Sequence, residues 1–129
     1  MSDHLNEDIL MSATAMLSEN WMEIPEDYQD RATYLIGQFY LQCEDLDTRY
    51  RKAHGIKKDY TIGAVYSFLD DEFLFVNALA PAAIYYLAAM LAMDENEVLG
   101  DKLFALYADE VSKVEASLPF VKEKITEVY

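Results

Sequence analysis

The chain has 129 residues, with 24 Asp and Glu against ten Lys and Arg, and a single cysteine. That length fills one domain around one hydrophobic core. A net charge of -14 opposes general binding to nucleic-acid phosphate, and a lone thiol excludes an internal disulfide framework.

The amino-terminal stretch MSDHLNEDIL lacks the basic and apolar regions of a secretory signal, so a reducing, cytoplasmic setting is expected. Within it begins the first helix. Leu5, Ile9, Leu10, Ala13, Met16 and Leu17 recur at steps of three and four, with Asp3, Glu7 and Asp8 where a helix dipole favours negative charge. The segment SENWMEIPED breaks the pattern, and Pro25 followed by Glu26 and Asp27 opens a second helix. Its apolar face is Ala32, Leu35, Ile36, Phe39, Tyr40 and Cys43. Helicity can run on through EDLDTRYRKAH, with Gly55 as the natural stop. From Ile56 to Phe68 the composition shifts to Thr, Ile, Val, Tyr and Phe, which predicts a short strand, hairpin or ordered loop.

Phe73 to Met93 then runs 21 residues without a formal charge. Such a length would span the roughly 30 Å hydrocarbon of a bilayer as a helix. Asn77, Pro81, seven alanines and acidic rather than basic borders instead predict a helix buried all round in a protein core. Asp70 or Asp71 is the expected cap, and Pro81 either kinks this helix or begins a new one after a short turn. After DENEV, the positions Val98, Leu99, Leu103, Phe104, Leu106, Tyr107, Val111 and Val114 mark a fourth helix ending before Pro119, antiparallel to the third. The final residues alternate with a weak period of two, which reads either as an extended arm or as a frayed last helix or disordered end.

The expected architecture is therefore mainly α: a single small domain, four-helix bundle-like, over residues 1–118, with a short β or extended loop insertion at about 55–70. Residues 119–129 form a C-terminal arm. No catalytic, cofactor or metal site emerges. His4 and His54 have no evident nucleophile to serve, and Cys43 lies on an apolar helix face where thiols are packed rather than reactive. The acidic groups Glu44, Asp45, Asp47; Asp70, Asp71, Glu72; and Asp94, Glu95, Glu97 invite a magnesium reading, but the latter two stand where helices are expected to begin, where capping accounts for acids. Zinc spacings, Glu-x-x-His pairs and a glycine-rich phosphate loop are absent from the sequence. The charge is unevenly placed, however. Arg49, Arg51, Lys52, Lys57 and Lys58 fall within ten residues that contain no acid, and they are either a solvated loop balancing nearby acids or a contact surface. Ten tyrosines in so small an acidic chain suit surfaces that meet other proteins.

The stretch ALAPAAIYYLAAMLAMDENEVLGDKLFALYADEVSKVEA, with its Tyr85-Tyr86 pair, acidic turn and Leu103, Phe104 and Tyr107, resembles the head-tail connector (adaptor) proteins of tailed bacteriophages. The ending ITEVY resembles their Ile-x-Asp-Val-Tyr terminus, with Glu127 in place of aspartate. The resemblance covers about a third of the chain plus its last five residues. It implies a non-enzymatic virion subunit of the neck, made in the host cytoplasm, that assembles as a homo-oligomeric ring, usually twelvefold. Such a ring joins the portal protein to a tail or stopper protein, and DNA passes through it without sequence-specific binding or membrane contact. The expected assembly contacts are the basic segment (Arg49, Arg51, Lys52, Lys57, Lys58) and the tail (Phe120, Val121, Ile125, Val128, Tyr129). Two rival readings are a small acidic inhibitor that imitates DNA to block a host DNA-binding protein, and a metal-dependent nucleotide hydrolase using the acidic triplets.

Overall fold

The computed structural model describes residues 4–17, 24–63 and 67–119, which form four α-helices and one 3-10 turn: α1 (Asn6–Leu17), α2 (Glu26–His54), the 3-10 turn (Asn77–Leu79), α3 (Ala80–Ala92) and α4 (Glu97–Ala116). Among these residues there is no strand, only an isolated antiparallel bridge between Leu5 and Glu72. The 55–70 insertion is thus, in its described parts, an extended loop.

Helix α2 has 29 residues, about 43 Å at 1.5 Å per residue, and is the longest of the helices among the described residues. It begins after Pro25, with Glu26 and Asp27 in its first turn, and ends with Arg51, Lys52 and His54 in its last. Both placements suit the helix dipole. Gly55 closes it at φ 66, the left-handed conformation that glycine adopts without a Cβ penalty, and its N–H still reaches the Arg51 carbonyl. Along its inner face Tyr28, Ala32, Ile36, Phe39, Tyr40, Cys43 and Leu46 are buried.

The charge-free segment differs from the long capped helix expected of it. Asp70 and Asp71 lie in a turn and do not cap α3, and the Asp71 carbonyl instead accepts Asn6 N–H at the start of α1 at 2.9 Å; Phe73 to Val76 is non-helical, and α3 starts only at Ala80 with Pro81 in its first turn. Of the two roles open to Pro81, it begins a new helix after a short turn. The reason is local competition for the backbone. Leu74 N–H donates to the Tyr40 hydroxyl at 3.0 Å, Val76 N–H to Asp47 Oδ1 at 2.9 Å and Phe73 N–H to the His4 carbonyl at 2.8 Å. These donors are satisfied by side chains of α2 and by the chain before α1, so no helical ladder is needed to bury them. Phe73 and Phe75 turn inward while Leu74 and Val76 are half-buried, the two-residue period of extended chain.

Those two rings meet Phe39, whose ring centroid also lies 6.0 Å from Tyr86 and 6.3 Å from Tyr107. One α2 side chain therefore joins the extended segment, α3 and α4. Nine of the 13 residues of α3 are buried, as an all-round apolar helix requires. It packs on α4 across a four-residue connection, with Tyr86 against Tyr107 (5.1 Å) and Ala89 and Met93 against Gly100. That ordering of contacts makes the pair antiparallel. Asn96 caps α4, its Oδ1 accepting the Leu99 N–H at 3.1 Å. Helix α1 packs on α3 and is fastened at its start: Asn6 Oδ1 accepts the Tyr40 hydroxyl at 2.6 Å, and Asn6 Nδ2 donates to Phe68 O and Ser67 Oγ. No helix among the described residues is long and apolar enough to cross a membrane.

At Gly100 an added Cβ would sit 3.0 Å from Met93 Cα and 3.3 Å from the Ala89 carbonyl, closer than ordinary contact. Gly100→Val is expected to lower the urea-unfolding free energy by about 2–3 kcal/mol through overpacking of the α3–α4 seam. Gly100→Ala, which regains helix propensity, is expected to fall within about 1 kcal/mol of the parent.

Candidate interaction surface

The basic segment and the first acidic triplet, separate features of the sequence, are partners in space. Asp45 receives Arg49 Nε at 2.9 Å, Asp47 receives Arg51 Nε at 2.8 Å, and Glu44 receives Lys58 Nζ at 3.0 Å. Two of these pairs are one helical turn apart on α2, where Asp and Arg at i and i+4 face each other. The third needs the chain reversal at Gly55.

The Asp47–Arg51 pair is unlike the others because it is inside. Asp47 is 0% exposed and Arg51 4%. Asp47 Oδ2 also accepts the Tyr60 hydroxyl, and its Oδ1 accepts Val76 N–H. Arg51 Nη1 and Nη2 donate to the Lys57 and Leu74 carbonyls, each at 2.9 Å, and its guanidinium lies 5.3 Å from the Tyr60 ring centre. A buried ion pair repays its desolvation only when remaining donors and acceptors are met. Here they are: no described buried side-chain nitrogen or oxygen lacks a partner. Arg51, expected at an assembly surface, is corrected to an internal clamp that ties the loop and the extended segment to the end of α2.

The remaining basic residues divide. Arg49 also reaches Glu115 at 3.3 Å and links α2 to the end of α4. Lys58 lies 5.1 Å from the Tyr60 ring centre in addition to its pairing with Glu44. Lys52 and Lys57 are exposed and have no ion-pair partner among the described residues. Beside them His54 stacks on Tyr50 at 4.1 Å, with its Nδ1 near the Tyr50 carbonyl. Phe120, Val121, Ile125, Val128 and Tyr129 lie outside the described residues. The exposed apolar side chains belong mainly elsewhere, with Tyr34 and Leu41 on α2 and Val98, Phe104 and Leu106 on α4.

Nucleophile and metal chemistry gain nothing from the geometry. Cys43 is buried, its thiol pushed up by that burial and set 3.5 Å from the Tyr107 hydroxyl. Among the described residues no three His, Cys, Asp or Glu side chains are grouped to hold a metal. Asp94 contacts Arg31 at 3.5 Å, beside the Tyr28 hydroxyl's bond to Glu95, so the acids of the α3–α4 turn help to seat the start of α2. The sequence reading missed Asp47 and Tyr60 as structural polar residues. The one signal for the clamp was the four-residue spacing of Asp47 and Arg51. No family model matches the chain, and neither a curated protein nor a solved structure shows significant similarity to it.

Removing one member of the clamp strands the other. Asp47→Ala is expected to cost about 3–5 kcal/mol in urea denaturation because it leaves the Arg51 charge buried and uncompensated. The apolar double variant Asp47→Leu/Arg51→Met is expected to remain roughly 2 kcal/mol or more below the parent, since Val76 N–H and the Leu74 and Lys57 carbonyls would lose partners. Burial also pushes the hydroxyls of Tyr28, Tyr40, Tyr60, Tyr86 and Tyr107 above the usual phenol range. A group whose folded pKa is raised contributes stability that is full below its unfolded value, about 10 for tyrosine, and lost as pH climbs through that value toward the folded one. Denaturation midpoints are therefore expected to fall above pH ~10. Phenolate absorbance in the native protein should develop at higher pH than in urea.

Proposed function

We propose that the chain is a non-enzymatic assembly protein, a helical subunit of the kind that joins portal to tail in tailed bacteriophages. The observation that carries this reading is where the connector-like residues fall. Tyr86, Leu103 and Tyr107 are buried, while Tyr85 is half-buried and Phe104, whose ring lies 5.4 Å from Tyr107, is exposed, so the resemblance follows mainly the packing side of one α-hairpin. Likeness mainly at packing positions supports a shared helical unit and names no chemistry. The surface supports an assembly role in a second way: exposed Leu41, Val98, Phe104 and Leu106 lie on the two long helices, where they can be covered by neighbouring subunits.

In this proposal the subunits close into a ring, twelvefold as in the proteins it resembles, between a portal and a tail or stopper protein in the virion neck. An acidic lumen lets DNA pass without adhering, because like charge repels phosphate. Lys52 in the last turn of α2 and Lys57 in the loop after it, neither with an ion-pair partner among the described residues, and the segment from Phe120 to Tyr129 make contacts to neighbours. Extended addition to a partner's edge is one mode open to that segment.

Truncation after Leu118 tests the reading. The shortened chain is expected to keep its far-ultraviolet circular dichroism and its urea midpoint, because the described core is complete before Pro119. It is expected to lose co-purification with portal and incorporation into virions. Unchanged incorporation would sink the tail's role, and absence of the full-length chain from virions would sink the connector reading itself.

A further inference from the structure

The outward face of α2 carries a pattern that is symmetric about Leu41. Asp30 lies eleven residues before Leu41 and Lys52 eleven after it; Tyr34 lies seven before and Thr48 seven after. Steps of seven and eleven both return to nearly the same side of a helix, drifting by about 20° in opposite senses. All five residues therefore share one stripe. Leu41 and Tyr34 are 52% and 57% exposed, Asp30 and Lys52 are exposed, and Thr48 is half-buried. Neither Asp30 nor Lys52 has an ion-pair partner among the described residues, whereas the neighbouring acid Asp45 is paired with Arg49.

We infer that this face docks a second copy of the same chain, with the two α2 helices antiparallel across a two-fold axis at Leu41. An isologous contact brings each residue opposite its mirror position. Leu41 then meets Leu41, Tyr34 meets Thr48, and Asp30 of each copy meets Lys52 of the other at both ends of the contact. Charge selects the direction. A parallel alignment would place Asp30 against Asp30 and Lys52 against Lys52, whereas the antiparallel one pairs opposite charges twice. Within one chain the two residues are separated by about 33 Å of helix and cannot satisfy each other. Each copy's net charge of -14 opposes approach, but that repulsion is screened beyond about 8 Å at physiological ionic strength, leaving short-range pairs to decide. The docking concerns the isolated chain and competes with the ring contacts proposed for Leu41 and Lys52, because a two-fold contact that covers those residues leaves them unavailable to ring neighbours.

Sedimentation equilibrium of the full chain tests it, with circular dichroism as a check on folding. The chain is expected to approach twice its 14.8 kDa mass as concentration rises. Asp30→Lys and Lys52→Glu are each expected to weaken dimerisation by roughly tenfold, because the two-fold axis counts each modest exposed pair twice. The double variant Asp30→Lys/Lys52→Glu is expected to regain the parent affinity, and the two single variants mixed together should associate more tightly than either alone. Leu41→Asp, which sets like charges on the axis, is expected to leave a monomer. A parent that stays monomeric to roughly millimolar concentration would overturn the inference, as would a dimer indifferent to the charge reversals or not restored by the double variant. A large ring whose mass the variants leave unchanged would overturn this docking face while leaving the connector reading standing.

Discussion

The buried pair of Asp47 and Arg51 is the constraint on which the rest of the structure depends. Each is a charge removed from water, a cost of several kcal/mol per ion that their mutual attraction alone does not reliably cover. What makes the arrangement stable is that the surplus valences are used by the backbone of other segments: Val76 N–H, the Leu74 and Lys57 carbonyls, and the Tyr60 hydroxyl. The pair thus fills the role a neighbouring strand would fill in a sheet. It lets Phe73 to Val76 lie extended in the interior without a strand partner, and so lays Phe73 and Phe75 on Phe39. From that ring the contact passes to Tyr86 and Tyr107, and hence to the hairpin of α3 and α4.

The same pairing reshapes the electrostatic surface. Ten residues of concentrated positive charge read as a patch, but Arg49, Arg51 and Lys58 are each matched to an acid, leaving Lys52 and Lys57 as its cations without an ion-pair partner among the described residues. Of the two readings of the segment, balance of nearby acids accounts for three of its five cations. Exposed large apolar groups lie mainly along the outer sides of α2 and α4, with only Ile56 in the basic segment.

Much of the helical framework was legible because it depends on local rules. Gly55 ends α2 through its left-handed backbone, Pro81 sits in the first turn of α3, and the spacing from Leu103 to Val114 marks the inner face of α4. The cap assigned to Asp70 or Asp71 was wrong for an equally physical reason. An acid before an apolar run is a sound local signal for a helix start, but the amides of Phe73, Leu74 and Val76 find partners in His4, Tyr40 and Asp47, which are 29 or more residues away in sequence. Long-range acceptors of that kind leave no periodic trace. At the α3–α4 turn, where acids were credited with starting the helix, Asn96 is the side chain that accepts the Leu99 amide.

By itself the sequence determined a small, acidic, mainly helical domain, the approximate spans of its helices, a buried alanine-rich third helix and a buried cysteine, since each follows from composition, period and terminal residues. Tertiary structure alone decided that the charge-free segment is part extended and part helix, that Arg51 and Asp47 are interior, and that Lys58 crosses back to Glu44. The physical reason is the same in each case. Pattern reports which side of an element is apolar, whereas the partner of a buried polar group depends on which distant segment arrives beside it.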